Sequence, residues 1–106
     1  MKLTVLERIV LMGILPKESD FTTLKLVREL QNKLSFTEKE HKLLQFQNAP
    51  NGNMTWNQDG NRIVGEVKID IGDKMKSVIV DILQKLDKDK KITNDLYSLY
   101  EKFIET

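Results

Sequence analysis

Apolar positions recur at helical spacing through most of this 106-residue chain. Thr4 and Glu7 have the spacing of a capping box and predict the start of a first helix, and Gly13 and Pro16 predict its end. A second helix is predicted to follow Asp20 to Thr23, because the next apolar residues lie on one stripe at three- and four-residue steps: Leu24, Val27, Leu30 and Leu34. The first third of the chain therefore predicts two helices.

Three more helices are predicted on the same grounds. In "FTEKEHKLLQF", Thr37 and Glu40 repeat the capping-box spacing, and Phe36 lies where it can pack against the following turn. Beyond Gly72, the clearest helical stripe of the chain contains Met75, Val78, Ile79, Ile82, Leu83 and Leu86. A last helix is predicted from Thr93 or Asn94, with these inward positions: Leu96, Leu99, Tyr100, Phe103 and Ile104.

Residues 47–71 interrupt the helical pattern. The segment "QNAPNGN" predicts a loop, because proline lacks an amide hydrogen and an Asn-Gly pair tolerates positive φ. Residues 54–57 and 62–71 then predict two strands around a "QDGN" turn. In the second strand, Glu66, Lys68 and Asp70 point to one face and the apolar residues to the other: Ile63, Val67, Ile69 and Ile71.

The predicted fold class is α+β, a mainly helical single domain over residues 1–106. It has about five helices, with one antiparallel β-hairpin inserted after the third (αααββαα). Val78, Ile82 and Leu86 are expected to form the centre of the core, because they share one face of the strongest helix.

Composition excludes several classes of function. Seventeen basic and sixteen acidic residues leave a formal charge of +1, so no global field attracts nucleic acid or an anionic membrane. The absence of cysteine removes disulfides, thiolate nucleophiles and the common structural zinc sites. No segment approaches the roughly 20 apolar residues that span a bilayer, and we expect a cytoplasmic protein.

Candidate chemistry is sparse. His41 is the only histidine and has no nucleophile near it in sequence, so a structural position is favoured over catalysis. The "DKDKK" segment opens like a calcium loop, but it lacks the required glycine and the final glutamate. Glu66 and Asp70 share a strand face with Lys68, which is typical of a solvated edge. We therefore predict no catalytic residue, cofactor or metal site.

Trp56 is the one tryptophan, and it has two interpretations. The favoured one places it in the core beside the isoleucines of the partner strand, because Met54 and Trp56 share a strand face. In the alternative, the hairpin projects as a wing, and Trp56 and Arg62 become an aromatic and cationic pair that contacts a partner.

Three helices followed by a hairpin is also the order of winged-helix domains, in which a helix enters the major groove of DNA. The corresponding helix, "TEKEHKLLQF", carries Lys39 and Lys42 as candidate contacts. It also carries Glu38 and Glu40, which face phosphate unfavourably. Nucleic-acid binding is therefore an open but less favoured alternative.

The succession "LTVLERIVLMGILP", "FTTLKLVREL", "FTEKE", the segment around Trp56 and the terminal "LYSLYEKF" resembles short uncharacterised proteins of bacterial viruses and prophages. The resemblance covers most of the chain and implies a cytoplasmic accessory protein. It transfers no catalytic residue.

Two hypotheses follow. The first is a small non-enzymatic interaction protein that binds a protein partner not identified by the sequence, with self-association as one form of such binding. The second is a winged-helix-like regulator that binds nucleic acid. Trp56, Arg62, Lys39 and Lys42 are the candidate contact residues for either.

Overall fold

The computed structural model describes residues 1–105. This part of the chain forms six helices and four two-residue strands. In chain order they are β1 (Lys2–Leu3), α1 (Val5–Ile14), α2 (Phe21–Leu34), α3 (Glu38–Leu44), β2 (Gln47–Asn48), β3 (Met54–Thr55), α4 (Gln58–Val64), β4 (Val67–Lys68), α5 (Asp73–Lys88) and α6 (Asn94–Ile104). The predicted α+β, mainly helical class is confirmed.

The predicted helix starts are confirmed at the two positions that a capping box marked in the sequence. Thr4 Oγ1 accepts the Glu7 amide at 3.1 Å, and Glu7 Oε1 accepts the Thr4 amide at 2.9 Å, which completes the capping box of α1. Thr37 and Glu40 form the same pair of bonds at the start of α3. A cap bonds only to residues within its own turn, so its sequence spacing is sufficient to locate it.

The core lies between four helices. α1 packs against α2 and α6, and α6 also packs against α5. β1 and β4 pair antiparallel beside this bundle, with Leu3 opposite Val67. The fully buried apolar side chains of this core include Leu3, Leu11, Leu34, Ile79, Leu83 and Leu99. No helix within residues 1–105 is both long enough and apolar enough to cross a membrane.

The predicted hairpin around "QDGN" is wrong. These residues begin α4, because the Asn57 side chain accepts the Gly60 amide at 2.9 Å and caps the helix. Gly60 also lies against α3, where an added Cβ would be 1.9 Å from the Leu43 carbonyl oxygen, so only glycine permits this approach.

A hairpin does follow α3, but its strands lie earlier in the chain than the predicted ones. β2 pairs antiparallel with β3, with Gln47 opposite Thr55. The intervening residues 49–53, predicted as a plain loop, make the turn, and Gly52 adopts a φ of 85° there. The Asn-Gly pair is therefore the hairpin turn of this chain.

The predicted two-faced strand is correct only in its second half. Ile69 is buried and Val67 and Ile71 are partly buried, whereas Glu66, Lys68 and Asp70 are exposed. Ile63 was expected on the apolar face, but it lies on α4 and is 68% exposed. The helical turn before Gly65 removes it from the strand.

The expected centre of the core on α5 is also wrong. Val78, Ile82 and Leu86 are only partly buried. The fully buried stripe of this helix contains Met75, Ile79 and Leu83. Both stripes have helical spacing, so periodicity cannot distinguish them, and the packing of α5 against α6 selects the second.

Two isoleucine substitutions on α5 test this assignment. Ile79→Ala should lower the free energy of unfolding in urea by about 2 to 5 kcal/mol, because it removes fully buried methyl and methylene groups. Ile82→Ala is the matched control and should cost clearly less, since that side chain is only partly buried. Equal costs, or a larger cost at Ile82, would reverse the assignment.

Candidate functional site

A buried arginine fixes the position of α3. Arg8 on α1 is 2% exposed. Its Nε donates to the Leu34 carbonyl at 3.2 Å, and its Nη2 donates to the Ser35 carbonyl at 2.7 Å. These carbonyls belong to the end of α2, where a helix leaves acceptors unpaired and carries partial negative charge. Arg8 thus caps the C-terminus of a neighbouring helix.

The same guanidinium holds the beginning of α3. Arg8 Nη1 lies 2.8 Å from Glu40 Oε2 and Nη2 lies 3.2 Å from Glu40 Oε1, a two-pronged ion pair. Its central carbon lies 4.0 Å from the centre of the Phe36 ring. The hydrogen bond from Arg8 holds the pKa of Glu40 below its ordinary value of 4.5, against the opposing effect of burial.

A second buried carboxylate ties the two ends of the chain together. Glu7 Oε1 accepts from Lys102 Nζ at 2.7 Å, and Lys102 also donates to Glu66 at 2.8 Å. Burial raises the pKa of Glu7, but the bonds from Lys102 and the Thr4 amide outweigh it and leave the pKa below 4.5. Burial likewise opposes the charged form of Lys102, and its bonds to Glu66 and Glu7 still raise its pKa.

Trp56 lies in a line of aromatic rings beside α3. Its ring centre is 6.0 Å from that of Phe46, which lies 5.0 Å from Phe36. The indole Nε1 donates to Asn61 Oδ1 at 3.2 Å, and the side chain is partly buried. The expected position among core isoleucines is wrong, because the partner strand that would supply them is replaced by α4. The rings instead pack the α3–α4 unit (residues 36–64) together.

The other predicted contact residues lie on the same unit. Arg62 on α4 is exposed and pairs with Asp59 on its own helix. Lys42 on α3 is exposed and lies 3.9 Å from Glu38. Lys39 is exposed on α3, which packs against α4. The structure therefore places all four residues on one unit, with two of the cations beside carboxylates.

The residues considered for catalysis have structural contacts. His41 is exposed and packs edge-on against Phe36, with 6.1 Å between ring centres, at the position of a helix staple. Glu66 accepts from Lys102, which also donates to Glu7. Within residues 1–105, no three histidine, aspartate or glutamate side chains gather in a way that could hold a metal ion.

The largest exposed apolar side chain lies elsewhere, on α2. Phe21 is 84% exposed and borders a cavity of about 620 Å³. We name this cavity the Phe21 groove, and its lining residues are Pro16, Lys17, Phe21, Leu24, Lys25, Val27, Arg28, Glu29, Gln31 and Asn32. Three cationic side chains and one carboxylate surround its apolar floor, so the groove is positively charged on a nearly neutral protein.

Phe21 faces solvent because the opposite side of α2 packs into the core. The Asp20 side chain accepts the Thr23 amide at 3.2 Å at the start of the helix, and Arg8 holds its end. The buried positions are Thr23, Val27, Leu30 and Leu34. At 3.6 residues per turn, Phe21 lies roughly 150° around the helix from their centre. This offset was present in the sequence and would have identified Phe21 as an outward aromatic residue.

Comparisons with known protein families, with curated proteins and with solved structures found no match for this chain. Surface chemistry is therefore the basis on which we infer a function. The Phe21 groove and the α3–α4 unit are the two candidate surfaces. The groove has the more exposed aromatic side chain, since Phe21 is 84% exposed and the indole of Trp56 is partly buried.

The Arg8–Glu40 pair predicts a loss of stability in acid. A carboxylate whose folded pKa is lowered stabilises the fold above its unfolded pKa, and this contribution is lost as pH falls from about 5 through the folded pKa. Glu40→Gln should remove part of this pH dependence of the free energy of unfolding, measured in urea. At neutral pH it should lower the free energy of unfolding by about 1 to 3 kcal/mol, because Arg8 loses its counter-charge.

Glu38→Gln is the matched control on the same helix. The Glu38 side chain is 89% exposed, so its substitution should leave both the stability and its pH dependence nearly unchanged. An acid profile of Glu40→Gln that superimposes on that of the wild type would contradict the structural importance of the pair. The pKa of Glu7 is also lowered, so its stabilising contribution is lost in acid as well. Some pH dependence of the stability should therefore persist in either variant.

Proposed function

We propose that this protein is a non-enzymatic interaction protein and that it binds another protein through the Phe21 groove. The observation that carries the proposal is the exposure of Phe21, at 84%, beside a positively charged concavity. Contiguous apolar surface rimmed by polar residues is typical of protein-binding sites, and aromatic and arginine side chains contribute most of the energy at such interfaces.

A partner that covers Phe21 gains free energy from burying its ring. Moving a phenylalanine side chain from water into a partner surface stabilises a complex by roughly 1.5 to 3 kcal/mol. Leu24 is partly buried in the floor of the groove and adds apolar area beside Phe21. Lys25 and Arg28 are exposed at the rim, where cationic groups affect the rate and specificity of association more than its affinity.

We propose that the partner lies in the cytoplasm of a bacterial cell, as the resemblance to short proteins of bacterial viruses and prophages implies. The winged-helix alternative has less support. The predicted turn of its wing lies in α4, and the hairpin that does follow α3 has strands of only two residues. Glu38 and Glu40 lie on the helix that would have to approach phosphate. Nucleic-acid binding is therefore treated as an outcome of the experiment below.

Affinity capture by a tagged copy, from a lysate of bacteria that also produce the untagged chain, tests the proposal with Phe21→Ser as the variant. The wild-type protein should retain a defined set of proteins, and nuclease treatment should not reduce their yield. Phe21→Ser should retain them about tenfold less or worse, as expected for loss of a central aromatic contact. Its free energy of unfolding should be nearly that of the wild type, because the side chain is exposed.

Ile63→Ser is the matched control, since Ile63 is an apolar residue of α4 that is 68% exposed and lies outside the groove. It should bind like the wild type. Equal retention by Phe21→Ser would refute the groove as the contact surface. Complete loss of the retained proteins after nuclease treatment would favour nucleic-acid binding instead.

A further inference from the structure

A second aromatic concavity lies at the other end of the chain. It has a volume of about 380 Å³, and we name it the Tyr97 face after its most exposed aromatic residue, which is 63% exposed. Its lining residues are Asp87, Ile92, Tyr97, Tyr100, Glu101 and Glu105. They come from the end of α5, the following loop, α6 and the residue directly after α6.

The charge of the Tyr97 face is opposite to that of the Phe21 groove. Three carboxylates and no cationic side chain line the face. Three cations and one carboxylate line the groove. The chain as a whole carries a formal charge of only +1, so the two concavities separate charges that nearly cancel overall. Complementary potentials of this kind guide association and fix the orientation of two partners.

The two surfaces also match in their apolar content. Each presents an exposed aromatic side chain next to a concavity, Phe21 at 84% exposure and Tyr97 at 63%. Tyr100 and Ile92 are partly buried in the floor of the acidic face, as Leu24 is in the floor of the groove. No residue lines both, so one copy of the chain presents both surfaces at once.

We infer that the occupant of the Phe21 groove is a second copy of this chain, which binds through its acidic Tyr97 face. The inference rests on the proposed function and names its partner. Because two different surfaces meet, the contact is head-to-tail, and each added copy leaves one groove and one face free. The product is an open chain of subunits, or a ring if the rotation between subunits closes.

The association should be weak. A stable interface buries about 800 Å² on each partner and involves about 20 to 30 residues a side. The groove has ten lining residues and the face has six, so the contact is at the small end of this range. We expect a Kd on the order of 10 µM to 1 mM that weakens as salt rises, because opposed surface charges are screened.

Sedimentation velocity of the wild-type chain, from about 10 µM to about 1 mM protein, measures this directly. The average mass should rise with concentration, and the rise should be smaller at about 0.5 M salt than at about 0.05 M. A chain that stays monomeric at about 1 mM and low salt overturns the inference. In that case loss of lysate binding by Phe21→Ser would still support the proposed function.

Two variants distinguish head-to-tail contact from symmetric pairing. Phe21→Ser has a damaged groove and an intact face, whereas Tyr97→Ser has an intact groove and a damaged face. Each variant alone should remain mostly monomeric where the wild type associates. An equal mixture should form a complex of one copy of each and nothing larger, because only one intact pair of surfaces is present.

Other results would contradict the inference. If Tyr97→Ser alone associates like the wild type while Phe21→Ser does not, the groove pairs with itself and the acidic face is not the partner. A mixture that stays monomeric also excludes it. Ile63→Ser, on the surface of α4, should associate like the wild type and controls for general loss of exposed apolar area.

Discussion

The buried guanidinium of Arg8 is the interaction on which the rest of the structure depends. Removing a cation from water is expensive, so its position requires nearly complete compensation. Four hydrogen bonds and one aromatic ring provide it: two carbonyls at the end of α2, both oxygens of Glu40 and the face of Phe36. One side chain thereby fixes α1, the end of α2 and the start of α3 relative to one another.

This anchor also determines which surfaces remain available. Arg8 holds the end of α2 and one face of the helix is buried in the core, so the helix cannot rotate to cover Phe21 without breaking the bonds of Arg8 and exposing that face. The α3–α4 unit begins directly after Phe36, and its aromatic rings pack on each other, which leaves Trp56 only partly buried. The exposed aromatic residues are consequences of the contacts that stabilise the fold.

Local signals in the sequence were enough to predict several elements. The capping boxes at Thr4 and Thr37 depend on residues within one turn, and both are present as expected. Where two apolar stripes fit the same helix, local signals did not predict which stripe is buried. The stripe containing Ile79 and the one containing Ile82 have the same periodicity, and only contact with other helices separates them.

The position of the hairpin and the contacts of the candidate site also could not be predicted from local signals alone. Residues 58–61 suit a turn, but Asn57 also suits a helix cap, and the close packing at Gly60 selects the helix. Arg8 follows a glutamate in an otherwise apolar helix, and nothing local indicates that its partners lie more than 25 residues away, at Leu34, Ser35 and Glu40. Phe21 was detectable from the sequence, because it lies off the predicted apolar stripe of α2.

The Arg8-anchored fold presents a positively charged groove and an acidic face, and the proposed self-association joins the two. A dilution series of ¹H–¹⁵N correlation spectra tests this residue by residue in the wild-type chain. Amide signals of the Phe21 groove and the Tyr97 face should shift together as concentration rises, while those around Arg8, Leu34 and Glu40 stay fixed. Shifts confined to the α3–α4 unit, or spread through the core, would contradict it.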